Sequence, residues 1–111
     1  MRLRQDGELL RIHISESDRF EGALLHEAIL AKCRDMKIAG ATVFAGLEGY
    51  GESAEVHRAH LVRSDRPIVI VVVDTPEKIR ELMPALERML DTGLMAVSPV
   101  RMTRVEKTTS S

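Results

Sequence analysis

The stretch "PIVIVVVD", Pro67–Asp74, decides how this chain is read. Ile68, Ile70 and Val72 alternate with Val69, Val71 and Val73, so a strand built from it is apolar on both faces. That predicts a central strand, and the run is far too short to cross a bilayer. Downstream, "DTPEKIRELMPALERMLDTG" (74–93) reads as a helix. Thr75 fits the cap, Pro76 the first helical position and Glu77 the first turn, where negative charge meets the positive helix end. Ile79, Leu82, Met83, Leu86 and Leu90 form its core stripe, Pro84 is expected to kink it, and Gly93 closes it. "LMAVSPVRM" (94–102) is a last strand. Pro99 demotes it to an edge, because proline cannot donate to a ladder on both sides.

Upstream, "GELLRIHIS" (7–15) alternates, with Leu10, Ile12 and Ile14 on one side and Arg11 and His13 on the other. A polar connection follows, in which Ser17 or Asp18 is placed to cap a helix running from Phe20 to about Met36. Asp18 is therefore assigned to capping, and Glu16 to the surface or a subunit contact. Leu24, Leu25, Ala28, Ile29, Ala31, Cys33 and Met36 recur at helical spacing, and Gly40 stops the helix. "ATVFAGLEG" (41–49) is a second strand, with Gly46 marking a bulge. About fifteen loop residues come next, with a helical turn near Ala54–Leu61.

The order is βαββαβ. It defines one α+β domain over residues 1–111, a ferredoxin-like sandwich in which a four-stranded antiparallel sheet carries two helices on one face. The core spans about 8–102 and residues 105–111 form a frayed tail. The first and third strands are central, the second and fourth at the edges. Two helices cover one face only, while the 67–74 strand calls for burial on both. Burying three valines or isoleucines is worth roughly 5–9 kcal/mol, so an oligomer with packed sheets is expected, against an alternative of exposed aliphatics. His13, on the non-core side, falls at that seam, and His26 on a helix surface.

Composition excludes several functions. The chain has 111 residues, a net charge of −1 and 44% hydrophobic residues. Aromatics are Phe20, Phe44 and Tyr50, too few for a base-stacking surface, and there is no basic footprint for nucleic acid or membrane. Cys33 is the single cysteine, read as a small apolar filler on a helix. "MRLRQDGELL" lacks an apolar signal region, so a cytosolic location is expected. No nucleophile–base–orienter set, P-loop or zinc motif is visible, and catalysis is not expected.

The chemistry concentrates in "GLEGYGESAEVHRAH", Gly46–His60, which holds three of the seven glycines within six residues. Glycines at 46, 49 and 51 let backbone amides approach an anion; a ligand-free hinge is the alternative. Arg58 and Arg63 match phosphate oxygens through the guanidinium fork, or are simply solvated. His57 and His60 on a helical turn share a face and are a weak metal pair; no metal site is assigned.

"GATVFAGLEGYG" (40–51), "VHRAHLVR" (56–63), "PIVIVVVDTPEKI" (67–79), "LDTGLMAVSPVRM" (90–102) and the opening "LRIHISESDRFEGALLHEAI" (10–29) together resemble the uncharacterised PII-like proteins grouped as domain of unknown function 190. The resemblance covers roughly residues 8 to 102. It implies a ferredoxin-like homotrimer related to the PII signalling proteins, whose second and third strands are joined by a long loop with nucleotides bound between subunits at its base. It further implies AMP, ADP or ATP as effector and a regulatory role on a partner such as a membrane transporter or channel, exerted through the 49–66 loop. The ligand-binding set expected is Gly46, Gly49, Tyr50, Gly51, His57, Arg58, Arg63, Thr92 and Gly93. The phosphate-cradling turn of PII proteins after the second helix is reduced here to Thr92 and Gly93 with no lysine following, and Tyr50 lies too early in the loop to be their modifiable tyrosine. A metal-binding trimer of the divalent-cation-tolerance type and a ligand-free structural module are the alternatives.

Overall fold

The 67–74 strand lies at the centre of the molecule, as its double apolarity requires. The structure, a computed structural model, describes residues 2–50, 56–57 and 65–107. In chain order the elements are β1 (Arg2–Ser15), β2 (Arg19–Phe20), β3 (Ala23–Leu24), α1 (Leu25–Asp35), β4 (Ala41–Ala45), β5 (Gly49–Tyr50), β6 (Val56–His57), β7 (Pro67–Asp74), α2 (Pro76–Glu87) and β8 (Leu94–Val105). β4, β7, β1 and β8 form one antiparallel sheet in that spatial order. The first and third long strands are therefore central and the proline-bearing β8 is an edge, as expected.

Leu10, Ile12, Ile14, Ile68, Ile70 and Val72 are buried on one face of the sheet. Leu25, Ile29 and Cys33 of α1, with Ile79, Leu82 and Leu86 of α2, close over them. Cys33 is thus a core filler, and burial pushes its thiol pKa up. On the other face Val69, Val71 and Val73 are half-buried. Phe44 and Leu94, whose register places them opposite Val69 and His13 on that face, are 55% and 54% exposed. Neither described helix lies over this apolar sheet face.

Four expectations change. α1 begins at Leu25, not Phe20, because Glu21 (φ 49°) and Gly22 (φ 83°) make the tight turn of a two-residue hairpin joining β2 to β3. Asp18 accordingly does not cap the helix. Its Oδ2 accepts from the Ser15 N–H at 2.9 Å, and Leu24 occupies the cap position with no side-chain bond. α2 ends at Glu87, and residues 88–90 turn back with Met89 N–H donating to Leu86 O at 2.9 Å. At Val56–His57, where a helical turn was expected, the chain is extended and pairs with Gly49–Tyr50, so a shared helical face for His57 and His60 is lost; His60 lies outside the described residues. Finally, β1 and β8 are longer than their alternation suggests. They pair from Arg2↔Val105 onward, whereas β7 stops at Asp74 opposite Glu8. The extra pairs form a two-stranded arm with no helix over it, so apolar alternation, which reports burial, does not mark it. Val105 belongs to that strand, not to a tail.

The "DTPEK" junction is a structural clasp. Asp74 accepts from the Ala39 N–H at 2.9 Å and the Thr75 N–H at 2.7 Å. Thr75 Oγ1 caps α2 by accepting from Lys78 N–H at 3.2 Å, and Lys78 Nζ donates to Met36 O at 3.3 Å. One short segment thereby starts α2 and ties it to the end of α1. Replacing Asp74 by alanine should lower the unfolding free energy by about 1–3 kcal/mol and Thr75→Ala by about 1 kcal/mol, read from urea midpoints.

Candidate functional site

At the end of the sheet where β1 and β4 finish and β7 and β8 begin, the chain encloses a cleft of about 480 Å³. Its floor comes from the central strands: His13, Ile14 and Ser15 of β1, and Pro67, Ile68 and Val69 of β7. One wall is the segment after β4, with Gly46, Glu48, Gly49 and Tyr50; the other is the turn into β8, Thr92, Gly93 and Leu94. Asp18 stands at the rim, held by its bond to Ser15.

Close approach explains two of the glycines. Gly46 N–H donates to Pro67 O at 2.7 Å, continuing the β4–β7 pairing, and a Cβ there would lie 2.8 Å from Pro67 Cγ. Gly93 has φ +142°, and a Cβ there would meet His13 O at 3.0 Å and Ile14 Cγ2 at 3.3 Å. Backbone fit alone thus accounts for both residues.

The rim is fastened on one side. Arg66 makes a forked contact with Glu16, Nε to Oε1 at 3.0 Å and Nη2 to Oε2 at 2.8 Å, while Glu16 N–H donates to Arg66 O at 2.8 Å. Ser17 Oγ donates to Asp65 at 2.7 Å. Glu16 is therefore an intrachain anchor, joining the turn that carries Asp18 to the residues just before β7. The hydrogen bond from Arg66 lowers the Glu16 pKa from its ordinary 4.5, and the same bond raises that of Arg66.

Of the expected ligand set, Gly46, Gly49, Tyr50, Thr92 and Gly93 are brought together around this cleft. The His57 backbone pairs with Gly49, which places it next to the Tyr50 wall. Gly51, Arg58 and Arg63 lie outside the described residues. Sequence reasoning missed His13, Asp18 and Glu48 as lining residues. Alternation had placed His13 on the open face, and only the register that sets it beside Val69 and Leu94 brings it to the cleft. A second cavity, about 450 Å³, lies at the opposite end between the arm and the end of β7, with Asp74, Arg101 and Arg104 in its wall. Among the described residues no group of three histidine, cysteine or acidic side chains is placed to hold a metal ion. No described helix is long and apolar enough to cross a membrane.

A four-stranded antiparallel sheet with two helices on one face, with a cleft where the second and third long strands are joined, defines an α+β protein of the ferredoxin-like class, the fold it shares with PII-like proteins of known structure. The chain belongs to the DUF190 family, Uncharacterized ACR, whose profile matches residues 7–102. It is 34% identical over 82 residues to a UPF0166 protein of Aquifex aeolicus, covering 72% of this chain and 78% of that one. Among solved structures it resembles CPII, a nitrogen regulatory PII-like protein from Thiomonas intermedia K12 bound to ADP, AMP and bicarbonate, with a TM-score of 0.68, 18% identity and 92% of each chain covered. It also resembles the divalent ion tolerance protein CutA1 from Ehrlichia chaffeensis, with a TM-score of 0.57 and 14% identity, over 95% of this chain and 84% of that one.

Gly93→Ala should cost about 1–3 kcal/mol in urea unfolding, because the left-handed backbone and the His13 carbonyl both oppose a Cβ. The Glu16 pKa is lowered in the folded chain, so its contribution to stability is present above pH 4.5 and lost as pH falls through the lower folded value. Stability measured down that acid limb should fall less steeply in Arg66→Ala than in the parent; equal slopes would contradict the pairing.

Proposed function

We propose that this protein is a PII-like sensor that binds an adenine nucleotide at the β4–β7 cleft and reports it to a partner protein through the 49–66 loop. The observation that carries the reading is the convergence of Gly46–Tyr50 and Thr92–Leu94 on one cleft at the base of that loop. The likeness to CPII, solved with ADP and AMP, supports it. The uncovered face with Phe44, Val69, Val71, Val73 and Leu94 supports a homo-oligomer, a trimer in this proposal, in which further copies cover the sheet and border the cleft. The partner is a membrane transporter or channel, the site of action is the cytoplasm, and the protein works by binding, not catalysis. Coupling requires the effector to favour one arrangement of the loop over another.

The likeness to CutA1 favours a second reading, a metal-binding trimer. Copper or zinc binding that disappears in a His57→Ala, His60→Ala double variant would support that reading over the first.

Isothermal titration of the full chain with AMP, ADP and ATP should give saturable binding of at least one of them, and sedimentation should give an oligomer. Absence of both heat and thermal shift with all three at millimolar concentration overturns the nucleotide proposal, and a monomer at working concentration overturns the assembly.

A further inference from the structure

The two-stranded arm at the ends of β1 and β8 reverses the polarity of the strand it extends. Where β1 runs beside β7, from Glu8 to Ser15, Leu10, Ile12 and Ile14 are buried under the helices. Beyond Glu8 the same side of the strand carries Asp6 and Arg4, opposite Arg101 and Thr103. The other side of the arm carries Leu3, Val100 and Met102, with Gln5 and Arg104 as its polar members. On β8 that side continues the open-face row of Leu94, Ala96 and Ser98. Met102 lies flat against the ribbon there: a Cβ at Gly7 would meet its Cγ, Sδ and Cε at 2.6, 2.6 and 2.7 Å. The apolar face that begins at Phe44 and Leu94 thus continues onto the arm, where Leu3 is 46% exposed. A two-stranded ribbon alone is marginal in water and needs a further layer against its apolar side. The arm starts opposite Asp74, at the end of β7 remote from the 49–66 loop, which enters the strand at Pro67.

We infer that the arm is a subunit clasp: the arm of one copy lies across the open sheet face of the next, with Leu3, Val100 and Met102 against that copy's row of Val69, Val71 and Val73. Arg4, Asp6 and Arg101, on the arm's other side, stay in solvent. The inference rests on the homo-oligomer of the reading above and names the element that holds it together. Dimensions single out a second copy as the occupant. The pairs from Arg2↔Val105 to Gly7↔Val100 make an arm about 20 Å long, and four strands make a sheet about 19 Å wide, so one arm spans one sheet. The open face over the length of β7 offers about 500 Å², less than the roughly 800 Å² per partner of a stable interface, and the arm adds about 200 Å². Each copy supplies both halves of the contact, a projecting apolar ribbon and a flat apolar sheet. Repeated around a closed ring, this head-to-tail contact leaves no arm unused and no sheet bare.

The test is sedimentation of the full chain over a dilution series, for the parent and for Leu3→Asp, Met102→Asp and Val105→Asp. Val105 is the control, because it is 68% exposed yet sits on the side of the arm that carries Arg101 and Thr103. Leu3→Asp and Met102→Asp should each weaken assembly at least about tenfold, since a carboxylate is then enclosed among apolar groups, while Val105→Asp stays within about twofold. Amide hydrogen exchange of the parent gives a readout that needs no variant. Residues 2–7 and 100–105 should be protected in the oligomer and exchange at least about tenfold faster on dilution to the monomer. Where a variant loses the helical circular dichroism of the parent, the exchange result decides. Unchanged assembly in Leu3→Asp and Met102→Asp, equal weakening by all three variants, or arm amides unprotected in the parent oligomer overturns the clasp and leaves the homo-oligomer standing. A parent that is monomeric throughout the series overturns the homo-oligomer and the clasp with it.

Discussion

Ile68, Ile70 and Val72 lie under two helices, whereas Val69, Val71 and Val73 of the same strand have no described helix over them. This unequal cover is the constraint on which the rest of the fold depends. Two helices of 11 and 12 residues, joined to the sheet by short connections, occupy one face of four strands. The hydrophobic driving force on that face orders the sheet and sets its register. The register then fixes which residues meet at the sheet end. His13 stands opposite both Val69 and Leu94, and the cleft floor follows from that alignment.

The chain's most recognisable polar motifs serve this frame. Asp74, Thr75 and Lys78 hold the start of α2 against the end of α1, each through a backbone group. Glu16 and Ser17 hold Arg66 and Asp65 at the entry to β7. Both motifs satisfy backbone or charged groups at element ends, where helix and strand hydrogen bonding stops. With Arg66 committed to Glu16, the described part of the cleft is left with carboxylates, hydroxyls, an imidazole and an aromatic ring.

Much of this was legible in the chain itself. The double apolarity of 67–74 predicted a central strand, Thr75–Pro76 the start of α2, and Pro99 an edge, and each is found there. The Glu21–Gly22 turn was misread, because Phe20, Leu24 and Leu25 fit a helical stripe as well as they fit a hairpin followed by a helix. Apolar spacing cannot tell these apart when the hairpin strands are two residues long. The arm formed by the ends of β1 and β8 was missed for a different reason: without a helix over it, it shows no burial pattern to read.

By itself the amino-acid sequence determined the element order, the central and edge strands, the helix start at Thr75 and the one-sided cover of the sheet, because each follows from local chemistry or from apolar periodicity. Tertiary structure alone decided that Asp18, Glu48 and His13 share a cleft with Gly46 and Gly93, and that Arg66 belongs to Glu16. Those residues are separated by up to 80 positions, and what brings them together is antiparallel register, a property of paired strands that no single stretch of chain contains.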